Sequence, residues 1–312
     1  MRVTNGMLAS NFLNNINRTM GRMQTYQQQL ATNKRMTRLS DDPIGAINSL
    51  SIRGKISRLN QYQKNIDDAK SWLTQSETAV MELGEVLKTS YEKTVQAATG
   101  TNTVQEKEAI AKELTEIRNH IVQLSNSTFG DRYIFGGFQT TAAPFAYEAG
   151  QLTYQGYDLR TLPDDPALQQ HLKSQIISFE IGTGLTSDVS FSGIRLIGSG
   201  EDNIIHILDD LISHLQKDAP HSELDQFVGK LQTKHYETLA LATEIGGKMN
   251  RLDLMENRYK MDSLNYETVK SNIEDIDMSE VIMQFKMTEA VYSAALSVGS
   301  RIIQPSLIDF LR

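Results

Sequence analysis

From Pro43 to Ala98 the sequence reads PIGAINSLSIRGKISRLNQYQKNIDDAKSWLTQSETAVMELGEVLKTSYEKTVQAA. Within it Ile52, Leu59, Ile66, Leu73, Val80, Leu87 and Thr94 fall seven apart, and all but the last are apolar. An apolar beat of seven marks one strong edge of a coiled-coil-like helix. The second seam is weaker: Ile56 gives way to Gln63, Lys70 and Glu77, with Tyr62, Ala69 and Leu83 substituting one place earlier. Asp41-Asp42-Pro43 supplies the start, because an aspartate accepts from free first-turn amides and proline fits the first helical position. At ~1.5 Å per residue this helix is roughly 80 Å long, more than a domain of this size is wide, so the spacing predicts a rod.

Thr99-Gly100-Thr101-Asn102 breaks the helix. Ile110, Leu114, Ile117, Ile121 and Leu124 then alternate spacings of four and three, which predicts an antiparallel helical return. The C-terminal half mirrors this. Glu201-Asp202-Asn203 opens a short helix carrying Ile204, Ile207, Leu208, Leu211 and Leu215, and Pro220 ends the connection. Leu224, Leu231, Thr238, Ile245, Leu252 and Tyr259 repeat every seven residues, and the pattern runs on toward Ile273. A last helix is expected from Met278 to Ile302. Residues 44–143 and 221–304 contain no proline, as long helices require. Ten of the 20 glycines crowd into 130–200, where turns and short strands are expected, with strands at Gln175–Ile181 and Val189–Phe191. Such an insert is expected at a tip, away from the main packing.

The first forty residues carry an amphipathic stripe of Phe12, Ile16, Met20, Met23 and Leu30 among many Asn, Gln and Thr. A helix of that composition is marginal alone and needs a partner. The last helix offers one in Ile282, Phe285, Tyr292, Leu296 and Ile302. Both ends are expected to order on assembly, with these ten side chains as the assembly interface. The fold class is therefore mainly α with a small β-rich insert: a 1–40 assembly segment, 41–129 rod helices, a 130–200 β-rich outer domain, 201–274 rod helices and a 275–312 assembly segment.

The 312 residues include no cysteine, which excludes disulfides, thiolate metal sites and a cysteine nucleophile. No run approaches 18 apolar residues, so no membrane insertion is expected, and the N-terminus does not read as a cleaved signal. Net charge is −7, yet residues 1–60 hold seven arginines, Lys34 and Lys55 against Asp41 and Asp42. These basic groups are scattered and lack stacking aromatics, so a basic arm packed beside an acidic one is favoured over nucleic acid. Residues 250–312, with seven basic and ten acidic groups, suit that reading. His206, Asp210 and His214 share a helical face but read as solvated rather than as a metal site. Gly198-Ser199-Gly200 lacks the lysine of a phosphate loop and reads as a turn with caps. The acid pairs Asp41/Asp42 and Asp164/Asp165 sit beside prolines, in capping contexts. Neither a catalytic residue nor a cofactor is expected, and the chain reads as no enzyme.

These motifs, taken in order, resemble the flagellin family. The opening Met1-Arg2-Val3-Thr4 with Asn5 and Met7 is similar to its start. Ser40-Asp41-Asp42-Pro43 with Gly45-Ala46 resembles its loop before the first long helix, and Tyr62, Asn65, Ile66, Asp67, Ala69, Trp72 and Leu73 resemble that helix. Gly130 to Gly137 with Pro144-Phe145 resembles the entry into its outer domain. Gly246, Asn250, Arg251, Leu252, Glu256 and Asn257 resemble its returning helix, and Gln304 to Leu311 a junction-type tail. Residues 146–200 match least. The resemblance implies a structural subunit of the bacterial flagellum, exported without a cleaved signal to an extracellular position at the hook–filament junction. It implies self-assembly into a ring, a hook-associated protein as partner on the hook side and flagellin on the filament side. It also implies a cytoplasmic export chaperone on a tail including Ile302, Leu307, Phe310 and Leu311. The alternatives are flagellin itself and a cytosolic coiled-coil adaptor.

Overall fold

The computed structural model describes residues 5–99, 102–148 and 150–302. In chain order the helices are α1 (Asn5–Thr32), α2 (Pro43–Ala98), α3 (Val104–Ser125), α4 (Pro166–Lys173), α5 (Gly193–Ile197), α6 (Ile204–Gln216), α7 (His221–Glu274) and α8 (Met278–Ile302). The strands are β1 (Thr128–Phe129), β2 (Arg132–Tyr133), β3 (Phe145–Glu148), β4 (Gln151–Tyr154), β5 (Tyr157–Asp158), β6 (Ser178–Gly182) and β7 (Leu185–Asp188). They make three antiparallel sheets, β1-β2, β3-β4-β5 and β6-β7. This is the mainly α fold with a small β-rich insert that the periodicity predicts. The chain divides into two units, Met1–Arg58 with Met261–Arg312, and Leu59–Lys260.

In the Leu59–Lys260 unit the helical segments pair antiparallel. Lys70 on α2 bonds Asp253 (2.5 Å) and Glu256 (2.8 Å) on α7, while His235 Nδ1 on α7 lies 3.0 Å from the Gly84 carbonyl on α2. Partners whose numbers rise on one helix as they fall on the other define a single register. The predicted seam is buried throughout this unit: Leu59, Ile66, Leu73, Val80, Leu87 and Thr94 on α2, and Leu224, Leu231, Thr238, Ile245, Leu252 and Tyr259 on α7; Ile52, in the other unit, is buried as well. The weaker seam is also regular. Ala69, Ser76, Leu83, Ser90 and Ala97 are all buried, every seventh residue, and the two serine hydroxyls donate to the carbonyls of Trp72 and Val86 one turn back. A hydroxyl satisfied by its own helix is buried without an unmet donor, so it packs as a small residue.

Helix α3 returns antiparallel to α2, with Lys93 paired to Glu113 at 2.8 Å, and packs Ile110, Leu114, Ile121 and Leu124 against α6. Its start is a capping box: Thr103 accepts from the Glu106 amide (3.3 Å), and Glu106 accepts from the Thr103 amide (2.7 Å). Thr103→Ala is expected to lower stability by about 1 kcal/mol, read as a lower denaturation midpoint. An unchanged midpoint would show that the cap contributes nothing to the global transition.

Three expectations are corrected. The second strand of the last hairpin is Leu185–Asp188, and Val189–Phe191 continues as extended chain whose amides bond the Ile177 carbonyl. The insert is not parked at a tip. Its β6-β7 hairpin lies along the helix pair, where Asn65 donates to the Glu180 carbonyl (2.7 Å) and the Tyr259 hydroxyl to the Ile181 carbonyl (2.6 Å). The polar face of α6 is half-buried rather than solvated. His206 pairs with Asp210 at 3.3 Å, and His214 lies over Phe227 with ring centroids 5.3 Å apart. The insert's own core gathers Phe135, Phe145, Tyr154, Leu159 and Phe191. Gly193 is required there, because a Cβ would stand 2.5 Å from the Phe145 ring and 2.7 Å from that of Tyr154.

Candidate functional site

The Met1–Arg58 and Met261–Arg312 unit brings α1 and α8 together. Helices α1 and α8 pack against each other. On α1, Phe12, Ile16, Met23, Tyr26 and Leu30 are half-buried, spaced as the inner face of a two-helix seam. On α8 the corresponding series is Phe285, Tyr292 and Gly299, seven apart. Gly299 is buried, and the Phe12 ring fills the place where a Cβ would stand. The two helices therefore approach closely at that turn, as a glycine permits.

The structure splits the sequence-predicted interface residues into two sets. Phe12, Ile16, Met23, Leu30, Phe285 and Tyr292 face the seam, whereas Met20, Ile282 and Leu296 are exposed. The outward set is larger than the sequence reading found. Met283, Met287, Val291 and Val298, spaced four, four and seven, form an apolar stripe down α8, with Leu13 and Met20 exposed on α1. The side chain of Ile302 and residues Leu307, Phe310 and Leu311 lie outside the described residues. A second exposed apolar group, Leu39, Ile44, Ile47 and Leu50, stands at the start of α2.

The links that carry α1 into α2 and α7 into α8 are tied to each other. Asn33 turns the chain with φ 55°, a left-handed conformation that asparagine tolerates. Lys34 and Asp275 then form an antiparallel bridge, and the Arg35 amide donates to the Glu274 carbonyl at 2.6 Å. The Glu274 carboxylate is only 4% exposed. It accepts from Arg53 Nε (2.7 Å) and Nη2 (2.8 Å) and from the Ser49 hydroxyl, and Lys34 Nζ stands 3.1 Å away. The Arg53 fork, helped by Ser49 and Lys34, holds this carboxyl down to about 2. Hydrogen bonds to Asp275 and Glu274 raise the Lys34 ammonium, and Lys34 in turn lowers Asp275. Asp42 accepts from the Gly45 amide (2.9 Å) to start α2, and Asp277 from the Ser279 amide (2.9 Å) to start α8. The scattered basic groups of the N-terminal arm thus meet acids of the C-terminal one, as the charge balance favoured.

The sequence reading missed Glu274 as the centre of this cluster. The available signal was the Glu274-Asp275 pair at the end of the Ile273 repeat, in a half of the chain that balances a basic one. Among the described residues no group of three or more His, Asp or Glu is placed to hold a metal ion, and no helix is long and apolar enough to cross a membrane. What the arrangement offers is contact: a paired set of terminal helices, anchored at one end by an ionic cluster, with an apolar stripe facing outward.

Comparison with known proteins gives this arrangement a context. The bacterial flagellin N-terminal helical region matches residues 3–140. Flagellar hook-associated protein 3 of Salmonella typhimurium is 24% identical over 318 residues, covering 95% of both chains. Flagellin of Bacillus subtilis is 24% identical over 317 residues, covering 95% of this chain and 94% of its own. A solved structure described as a flagellar hook-associated protein of Vibrio parahaemolyticus superposes with a TM-score of 0.65 at 26% identity. It covers 75% of this chain and 100% of its own.

Proposed function

We infer that this flagellin-family chain is a structural subunit of the bacterial flagellum, one that polymerises at the hook–filament junction and adapts the hook side to the flagellin filament. The observation that carries this reading is the α1–α8 pair with its uncovered stripe, in a chain similar over nearly its whole length to a hook-associated protein. Fully burying a large apolar side chain contributes roughly 1.5–3 kcal/mol, so a half-covered one still has about half of that to gain in an assembly. Copies of the chain form a ring through this stripe. A hook-associated protein meets the ring on one side and flagellin on the other. Before export a cytoplasmic chaperone covers the tail, Ile302, Leu307, Phe310 and Leu311, and the ends, only marginally ordered in the free subunit, become fully ordered as it joins. The subunit stands outside the cell, reached without a cleaved signal, and performs no catalytic step. The segments 1–40 and 275–312 serve assembly, 41–129 and 201–274 supply the long helices, and 130–200 faces outward.

The similarity to Bacillus subtilis flagellin favours one rival, the filament subunit itself. Copy number separates the two. Quantitative mass spectrometry of sheared appendages is expected to find a few copies of this chain per appendage beside thousands of flagellin. Thousands of copies would make it the filament subunit, and recovery only from the cell lysate would overturn both readings.

A further inference from the structure

The chain has twelve methionines and no cysteine, so its thioethers are its only oxidisable sulfur. Two of them, Met283 and Met287, sit one turn apart on α8 and are 55% and 57% exposed, in line with Val291 and Val298. No described polar contact covers this stripe, and the seam residues Phe285 and Tyr292 lie on the other side of the helix. Met7, Met20, Met81, Met261 and Met278 are also exposed but do not pair one turn apart on this stripe, whereas Met23, Met249 and Met255 are half-covered by their neighbours. A thioether is a soft apolar group, whereas its sulfoxide is polar, chiral and a strong hydrogen-bond acceptor.

We propose that Met283 and Met287 form an oxidant-sensitive site: peroxide converts them to sulfoxides in the free subunit and thereby blocks its addition to the assembly. In each event the sulfur lone pair attacks one peroxide oxygen and the O–O bond breaks. The sulfur is oxidised by two electrons, the peroxide is reduced, and one water leaves. A methionine sulfoxide reductase reverses the step with electrons from a dithiol. The sulfoxide stays hydrated in the free subunit, so folding of the rest is unaffected. In the assembly it must be buried without a donor, a cost that weakens joining by about tenfold or more per site. Burial in the completed ring shields the same sulfurs, so the vulnerable species is the subunit before it joins. The inference rests on the assembly role proposed above.

The test treats the purified full chain with hydrogen peroxide, maps sulfoxides by peptide mass, and measures joining to isolated hooks from cells lacking this protein. Each protein is read as the ratio of treated to untreated joining. The expected results are sulfoxides at Met283 and Met287, among those at the other exposed methionines, and a loss of at least about tenfold. Methionine sulfoxide reductases A and B should restore joining, and the ratio should be near one in a Met283→Leu/Met287→Leu variant but not in a Met81→Leu/Met261→Leu control. A loss that persists in the first variant, or oxidised subunits that join normally, overturns the oxidant-sensitive site and leaves the assembly role standing. Untreated native subunits that fail to join hooks overturn the assembly role and this inference together.

Discussion

Gly299→Leu is expected to abolish filament formation in cells that carry it in place of the native chain. A Cβ at this position already overlaps the Phe12 ring, and leucine adds three further carbons at this close approach of α1 and α8. Overpacking on this scale costs typically ~1–3 kcal/mol even where neighbours can shift. The α1–α8 seam, built from half-buried side chains, has little stability to set against it. The substitution lies in the Met261–Arg312 segment, so the thermal transition of the Leu59–Lys260 unit should stay where it is. Circular dichroism melts and swimming assays read the two effects separately. A Phe12→Ala/Gly299→Leu double variant keeps the proposal open to refutation, because removing the ring returns space to the leucine and should restore part of the motility. Normal filaments from Gly299→Leu alone would show that the helix pair is not needed for assembly.

How far such contacts were legible in the sequence depends on what set them. The seven-residue beat from Ile52 to Thr94 specified α2 and its buried edge, because a period that persists over many turns has no other stable reading. Met278–Ile302 was legible from the helical spacing of Ile282, Phe285, Tyr292 and Leu296. Ser76 and Ser90 were not read as seam residues, because their type says polar while the helix itself satisfies the hydroxyls. On α1 and α8, Met20, Ile282 and Leu296 were grouped with the seam, since apolar type alone does not tell an inner face from an outer one. The hairpin at Ser178–Asp188 was legible as strand but not as a strap along the helix pair. That placement depends on Asn65 and Tyr259, more than 70 residues away in each direction. The role of Glu274 was not read for the same reason: its partners Lys34, Ser49 and Arg53 come from the far end of the chain.

That cluster carries the second large effect. Glu274→Ala should loosen the α1 and α8 helices, lowering the protection of their amides in hydrogen exchange by about thirtyfold, or ~2 kcal/mol. The figure is below the ~3–5 kcal/mol typical of breaking a fully buried ion pair, because the cations left behind can reach water. Arg53 is 58% exposed and Lys34 37%, whereas Glu274 is 4% exposed. Acidity provides an independent check. The folded carboxyl sits at about 2, below its ordinary value of 4.5. The stability it contributes is therefore fully present above 4.5 and is lost as pH falls through about 2. Asp275, lowered by Lys34, adds a smaller loss in the acid range, which a Glu274→Gln variant keeps. Protection of the α1 and α8 amides should thus fall less steeply between pH 4.5 and 2 in Glu274→Gln than in the native chain. Parallel pH profiles would show that Glu274 does not tie the two links together, and the closeness of Lys34, Ser49 and Arg53 to it would then be packing without consequence for the terminal helices.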